Sequence, residues 1–425
     1  MEAAQLVVIT AVLFSTLAFP QYLALVTMLA FVAAGTHVAN PGGVLNRYRW
    51  AVLVILAVGL ILRSSMATGS SRWHPTQFSI GLFICWAAFS STYSVNALMT
   101  ILKAAAVGCL LLGSLLYGRL ESQGGPESHC RILDHLYWCA ALVGVGCLLG
   151  VLHIIPSKNV HFQGPFGNPN HLGAFIALIA PAVVFRVYQS AKQAPLARAA
   201  NYALAGLYVV VLLMSRSRAG ILGTFCGCAW WLLFASRKAF SWFVTTAILV
   251  GVILVAYSPA YVESLNRTYV EKDSRYILHS RGQLISDTWE AAWENPLTGV
   301  GFGTAKGYSE EWEFEFGSGT AGREKMNSVL GLMEEVGLVA TAFLLYPLAW
   351  VMVASLRRLK LLQRFHPGSG EFWTIITLSA CLIGGFVDSM AEAWLVAAGF
   401  FSCVMFWLVY GVLSARLTLP VRRRE

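Results

Sequence analysis

Charge is scarce in this chain: Asp, Glu, Lys and Arg together make up 12% of 425 residues. A water-soluble domain is about a quarter charged, so this composition excludes a soluble enzyme. Other signals are missing too. No CxxC pair or Cys/His spacing of metal type occurs, and all nine cysteines except Cys130 sit in apolar runs, where they read as small core residues. There is no Asp-x-Asp pair, internal repeat or low-complexity tract. The start, Met1-Glu2-Ala3-Ala4-Gln5, lacks the basic stretch of a signal peptide, so the first apolar run is expected to stay as a span.

What the chain does have is apolar length. It is 57% hydrophobic, with 14 Trp, 24 Phe and 15 Tyr, and its mean hydropathy is +0.64. Lipid must solvate most of it, with aromatic anchors at the interfaces. Apolar runs of spanning type fall near 3–19, 21–36, 50–66, 78–94, 96–118, 132–155, 173–189, 202–215, 218–235, 241–257, 329–354, 372–390 and 392–415. Merging the first two around Phe19-Pro20 gives about twelve transmembrane helices with both ends in the cytoplasm, the preferred count over thirteen. The fold expected is all-α and polytopic, one transmembrane domain over 1–425. The net charge of +9 does not point to nucleic acid. Arg357, Arg358, Lys360 and Arg364, and later Arg416 and Arg422 to Arg424, each follow an apolar run, which is positive-inside patterning.

That topology places 258–328 outside the cytoplasm as the one long polar loop. It holds eleven of the 21 acidic and seven of the 30 basic residues, and a loop of such length implies function. Ser280-Arg281-Gly282-Gln283 has capping-box form, followed by Leu284, Ile285, Trp289, Ala292 and Trp293 at helical spacing and a stop at Asn295-Pro296. An amphipathic helix on the membrane surface is predicted. Glu311, Glu313 and Glu315 alternate with Trp312, Phe314 and Phe316, which fits an acidic strand face better than a metal site.

Four places can carry chemistry. In Ser215-Arg216-Ser217-Arg218-Ala219-Gly220, Ser217 can cap the next helix, so Arg216 and Arg218 flank a helix N-terminus suited to an anion. Ordinary interfacial snorkelling is the bland reading. Arg281, with Arg275 and His279 just before it, offers a second phosphate fork, against a simple solvated charge. Asn327 opens a span with Glu334, Glu335 and Gly337 following, and Glu335 sits roughly 12 Å along the helix from it. An ionisable group there is functional by default, and the competing reading is a carboxylate paired with an arginine to hold the loop. Finally, Gly167-Asn168-Pro169-Asn170 makes a tight turn from which Asn170 can point an amide into a site. Lys103, Asp134 and Asp388 read as structural.

Taken in order, these elements resemble the O-antigen ligase and polymerase family of bacterial inner-membrane glycosyltransferases, over roughly the last 270 residues. The resemblance rests on Gly167-Asn168-Pro169-Asn170, on Ser217-Arg218-Ala219-Gly220, on Arg281, Trp289 and Pro296-Leu297-Thr298-Gly299-Val300-Gly301 in the loop, and on Asn327, Leu330, Leu332, Glu335 and Gly337 after it. It implies a GT-C-like helical fold with a periplasmic loop over 258–328. It also implies transfer of a glycan from an undecaprenyl diphosphate carrier to a sugar hydroxyl of a glycolipid or glycan acceptor, at a site facing the periplasm. Arg218 and Arg281, supported by Arg216, would stabilise the departing diphosphate, with Asn327, Asn170 and His279 as substrate contacts and no metal or cofactor required.

One departure stands out. Where the family has histidine before the asparagine, this chain has Met326, whose thioether cannot take a proton at neutral pH. Three expectations follow: Glu335 or His279 replaces the base, a good leaving group needs little base, or transfer is lost. A polymerase, a non-catalytic assembly protein and a transporter of lipid-linked glycan are the alternatives to a ligase.

Overall fold

A computed structural model describes residues 22–36, 49–66, 74–123, 130–154, 161–191, 193–257, 277–305 and 325–419, with side chains except at 64–66, 250–257 and 277–283. Among these residues the chain forms α1 (Leu23–Gly35), α2 (Arg49–Met66), α3 (Pro75–Phe89), α4 (Ala97–Ser122), α5 (Arg131–Val151), α6 (Pro169–Ser190), α7 (Pro195–Ser215), α8 (Arg218–Ala235), α9 (Arg237–Tyr257), α10 (Ile277–Glu294), α11 (Ser328–Phe365), α12 (Gly370–Ser389) and α13 (Phe401–Leu417). Seven of them are long and apolar enough to cross a membrane, and α1 and α13 are shorter apolar helices. Side chains facing outward are apolar as well, including Leu98, Ile101 and Leu102 of α4, Leu142 and Val145 of α5, and Val209 and Val210 of α7. A bundle apolar both inside and out needs lipid as its solvent, so the chain is an all-α, multi-pass membrane protein.

The apolar runs beyond position 20 coincide with helices, whereas the run at 3–19 lies outside the described residues. Two boundaries differ from expectation. The last span begins at Phe401 rather than 392, because residues 391–400 form turns closed by Trp394 N–H to Glu392 O at 2.9 Å and Phe400 N–H to Ala397 O at 2.7 Å. α11 continues to Phe365, where the buried Arg358 guanidinium pairs with Glu371 across the turn into α12. Arg49 lies at the end of the bundle that carries the 258–328 loop, against the charge trend, because it is buried there and donates to Gly399 O at 2.9 Å.

Short polar caps start the helices: Asn96 accepts from Met99 N–H, Asn168 from Asn170 N–H, Ser217 from Gly220 N–H and Ser369 from Phe372 N–H. In lipid an open carbonyl has no water to meet, so helix-breaking prolines need compensation. Pro347 in α11 cannot donate to Phe343 O, and Ser79 of α3 donates there instead, Oγ to O 2.7 Å.

The centre is α13, buried from Phe401 to Arg416, with α4, α6 and α12 around it. Backbones meet there at small residues, the usual solution where no water drives helices together. A Cβ on Gly220 of α8 would run into the backbone of Gly173 in α6, and one on Gly384 of α12 into Ala177 O. That carbonyl is the one Pro181 cannot serve, so glycine at 384 lets Cα approach it closely. Replacing Gly384 by Val is expected to force α6, α8 and α12 apart at a cost of about 1–3 kcal/mol or more, seen as a lower unfolding temperature in detergent, whereas Gly206→Val, where a Cβ meets nothing within 4 Å, leaves it unchanged.

Candidate functional site

The loop that follows α10 is clamped onto a break in α11. Gly337 has φ 74° and ψ 176°, so the helix that starts at Ser328 stops and restarts there. Leu338 N–H, deprived of its helical acceptor, donates to Pro296 O at 2.7 Å, while Glu334 O and Glu335 O accept from Val300 and Gly301 N–H, each at 2.9 Å. The two strips approach too closely for side chains: a Cβ on Gly299 would strike the Glu335 backbone, and one on Gly337 the Leu297 backbone. Both glycines also have positive φ, at 69° and 74°. The turn after α3 completes the clamp, with Tyr93 Oη donating to Thr298 O at 2.7 Å and Phe302 N–H to Ser90 Oγ at 3.0 Å. Partial burial holds the Tyr93 phenol above its ordinary value and so keeps it a donor.

Beneath this clamp lies a buried ionic cluster. Glu335 accepts from Lys103 Nζ at 2.9 Å and Lys325 Nζ at 2.8 Å, and its Oε2 also accepts from Gly303 N–H at 2.7 Å. Lys325 also reaches Thr304 O at 2.9 Å and lies 3.8 Å from Glu334. Two ammonium and two carboxylate groups thus balance inside an apolar bundle. The expectation that Glu335 serves as a base meets a carboxylate whose two oxygens are already occupied by three donors; the alternative expectation, a carboxylate paired with an arginine to hold the loop, has the ion pairing right and the partner wrong, since two lysines stand where an arginine was expected. Lys103, read as structural, has this role, and Lys325, ten residues before Glu335, joins it from the end of the loop.

Asn327 and Asn170 converge on the turns between α12 and α13. Asn327 caps α11, its Oδ1 accepting from Val329 N–H at 2.9 Å and Leu330 N–H at 3.0 Å, and its Nδ2 donates to Met390 O at 2.7 Å. Its amide is therefore engaged with backbone at both ends, which makes it the cap of α11. Asn170 Nδ2 donates to Glu392 Oε1 at 2.7 Å. Ser328 Oγ donates to Glu392 O and accepts from Leu395 N–H, both at 3.1 Å. Asp388 is fully buried at the same place; Trp394 Nε1 donates to its Oδ2 at 2.8 Å, and its Oδ1 has no hydrogen-bond partner among the described residues. Glu392 went unnoticed because it sits inside what reads as one apolar run. Met326 is buried beside these turns.

The Ser-Arg-Ser-Arg turn stands at this end as well. Ser217 accepts from Gly220 N–H at 3.3 Å and packs against Gly173 of α6, one turn from Asn170. Arg218 is the first residue of α8, half-buried, and Arg216 is the last of α7's cap, with φ 53° and ψ 27°. A left-handed conformation costs a non-glycine residue about 1–2 kcal/mol, so an arginine here is maintained against its backbone preference. The expected helix with Arg281 and His279 is present as α10, from Ile277 to Glu294, but both side chains lie outside the described residues, as do Glu311, Glu313 and Glu315. Further along α10, Ala291 and Ala292 are buried while Ile285, Trp289 and Trp293 stand exposed, with the two indoles 5.6 Å apart. Among the described residues no group of three or more His, Cys, Asp or Glu is arranged to hold a metal ion.

Removing the Glu335 charge leaves two buried ammonium groups with only the Glu334 carboxylate to balance them, so Glu335→Gln is expected to cost about 3–5 kcal/mol in stability. Lys103→Met combined with Glu335→Gln restores the balance and should recover part of that loss, a coupling measurable by a double-mutant cycle on unfolding in detergent. Additive losses would show that the cluster does not act as a unit.

Comparison with curated proteins gave no match. Residues 203–345, which run from α7 through the loop and its clamp into α11, match the O-antigen ligase family model. Three of the four motifs fall within that match, while Gly167-Asn168-Pro169-Asn170 precedes it, and the segment carrying Arg216, Arg218, the clamp and Glu335 is similar to the O-antigen ligase family.

Proposed function

We propose that the chain is a ligase-type glycosyltransferase, which moves a glycan from undecaprenyl diphosphate to a sugar hydroxyl of a glycolipid or glycan acceptor at the loop-bearing end of the bundle, in the bacterial inner membrane with that end in the periplasm. The observation that carries this reading is the Arg216–Arg218 turn: two guanidinium groups at a helix start, one in a costly backbone conformation, beside the turns that hold Asn170, Glu392 and Asp388. The acceptor oxygen bonds to the anomeric carbon as the bond from that carbon to the diphosphate oxygen breaks, and the electron pair leaves with the phosphates. Arginines at a helix N-terminus stabilise that growing charge by electrostatics, and Arg281 on α10 is the proposed second source of positive charge.

The proton of the acceptor hydroxyl needs a destination, since position 326 is methionine. Glu335 has no capacity left. Asp388 has: one oxygen is held by Trp394 and the other is unpartnered among the described residues. We assign it the role of proton acceptor, with Glu335 as a positioning residue that fixes the loop. α10 then rests its Ile285, Trp289 and Trp293 face on the membrane surface.

In proteoliposomes with an undecaprenyl diphosphate-linked glycan and an acceptor glycolipid, transfer is read as a mass increase of the acceptor. Arg218→Ala is expected to lower kcat by roughly a hundred- to a thousandfold. Arg216→Gly, which relieves the left-handed strain, should keep or raise the unfolding temperature while lowering transfer; intact transfer would make that arginine a conformational residue only. Asp388→Asn should slow transfer without destabilising the fold, and unchanged transfer would favour departure of the leaving group without a base. Movement of the donor across the bilayer with no change of acceptor mass would replace the ligase reading by a transporter.

A further inference from the structure

Arg49 is the first residue of α2, and its side chain is buried at the loop-bearing end of the bundle. Neither the arginine turn nor the ionic cluster includes it. Burying a charge is costly, so a side chain that served packing alone would be better supplied as leucine or methionine. What the charge does there is specific. Arg49 Nη1 donates to Gly399 O at 2.9 Å, two residues before α13 begins, and the guanidinium lies 5.9 Å from the Trp50 ring. The guanidinium occupies the space a side chain at 399 would take: a Cβ there would come 2.7 Å from its Cζ and 2.8 Å from its Nε.

From Gly399 a ladder of short turns runs back to Asp388. Phe400 N–H donates to Ala397 O at 2.7 Å, Ala397 N–H to Trp394 O at 3.0 Å, Trp394 N–H to Glu392 O at 2.9 Å and Ala391 N–H to Asp388 O at 3.0 Å. Phe400, next to Gly399, packs edge-on against His171 of α6 at 4.7 Å and lies 6.3 Å from Trp394. Trp394 in turn donates to Asp388 Oδ2 at 2.8 Å. Turns of this kind lack the ladder of a helix or strand, so their placement depends on ties from outside. Ser328 ties them at Glu392 and Leu395, and Arg49 ties them at Gly399. We infer that Arg49 is a positioning residue, which locks these turns and so holds Trp394 against Asp388. The inference rests on the transfer reading above and names what keeps its proton acceptor in place. Without the arginine, Gly399 O loses this donor, and a backbone group freed at membrane depth has to find another partner or shift.

The test combines the transfer assay above with hydrogen exchange of the purified full-length chain, read by mass spectrometry in detergent. Arg49→Met is expected to speed amide exchange at 391–400 while α13 stays protected. It should also lower kcat roughly ten- to a hundredfold, with KM for donor and acceptor within about twofold of wild type. Arg49→Lys keeps a donor for Gly399 O and should restore most of the rate. Gly399→Ala reaches the same contact from the other side, because its methyl displaces the guanidinium. It should reproduce Arg49→Met, with the double variant no slower than either, and it carries the test should Arg49→Met not fold. In an Asp388→Asn background Arg49→Met should cost nothing further, since the group it positions is gone. Unchanged exchange at 391–400, an unchanged kcat, or losses that multiply with Asp388→Asn overturn the inference. So does a fall in unfolding temperature and active fraction with kcat per active molecule intact, the signature of a merely structural arginine. Exchange separates the inference from the reading beneath it. Faster exchange in variants of a protein that transfers from no donor keeps the lock and removes the ligase. Transfer that depends on Asp388, with exchange indifferent to Arg49, keeps the ligase and removes the lock.

Discussion

A carboxylate held between two ammonium groups inside an apolar bundle is the contact on which the loop-bearing end depends. Glu335 draws Lys103 from α4 and Lys325 from the far end of the loop to one point, and its third donor, Gly303 N–H, belongs to the strip that precedes the undescribed part of that loop. Three segments distant in sequence are thereby tied across a few ångströms. Buried ion pairs are poor sources of net stability but severe penalties against misassembly, because any arrangement that separates them strands a charge in hydrocarbon. The cluster thus specifies where the loop docks more than it strengthens the docking.

The glycines convert that specification into geometry. With Gly299 and Gly337 lacking side chains, the loop strip and the interrupted helix can exchange backbone hydrogen bonds at 2.7 to 2.9 Å. In a membrane such an exchange is the condition for breaking a helix at all, because each interrupted N–H or C=O must find another partner. The Pro-Leu-x-Gly-x-Gly strip and the Glu-x-Gly after it are therefore two halves of one joint. Each is a weak pattern by itself; their mutual fit explains why they occur together.

The helices were legible because lipid imposes a crude rule, long apolar runs, which Trp, Phe and Leu satisfy wherever they sit in the chain. The helix with Trp289 and Trp293 was legible from its spacing and stop, but not from its cap: it begins at Ile277, so Ser280 of the expected capping box lies inside it. What escaped was the pairing of distant polar groups. Nothing near Glu335 in sequence announces Lys103, 232 positions away, and nothing near Asn170 announces Glu392. Glu392 was further concealed because hydropathy averages over the turns at 391–400, whose irregular backbone is stabilised by tertiary bonds from Ser328 rather than by local propensity. Asn327 illustrates a different difficulty: an asparagine that caps a helix and one that binds a sugar look alike until both ends of the amide are seen to be engaged.

With Asn327 and Glu335 bonded within the fold, the proposed chemistry centres on the junction of α6, α8 and α12. The helices there approach so closely that glycine is required at 173, 220 and 384, which makes the backbone around the arginine turn rigid. Rigidity matters for a site that acts through electrostatics, since charges already in position need no reorganisation as the leaving group gains its own. The same close packing buries Asp388 with one oxygen unpartnered among the described residues, a costly state for any carboxylate and one that a substrate hydroxyl would relieve. On the proposed reading the methionine at position 326 is less consequential than it looks in sequence, because Asp388, one helix away on α12, takes the acceptor's proton instead.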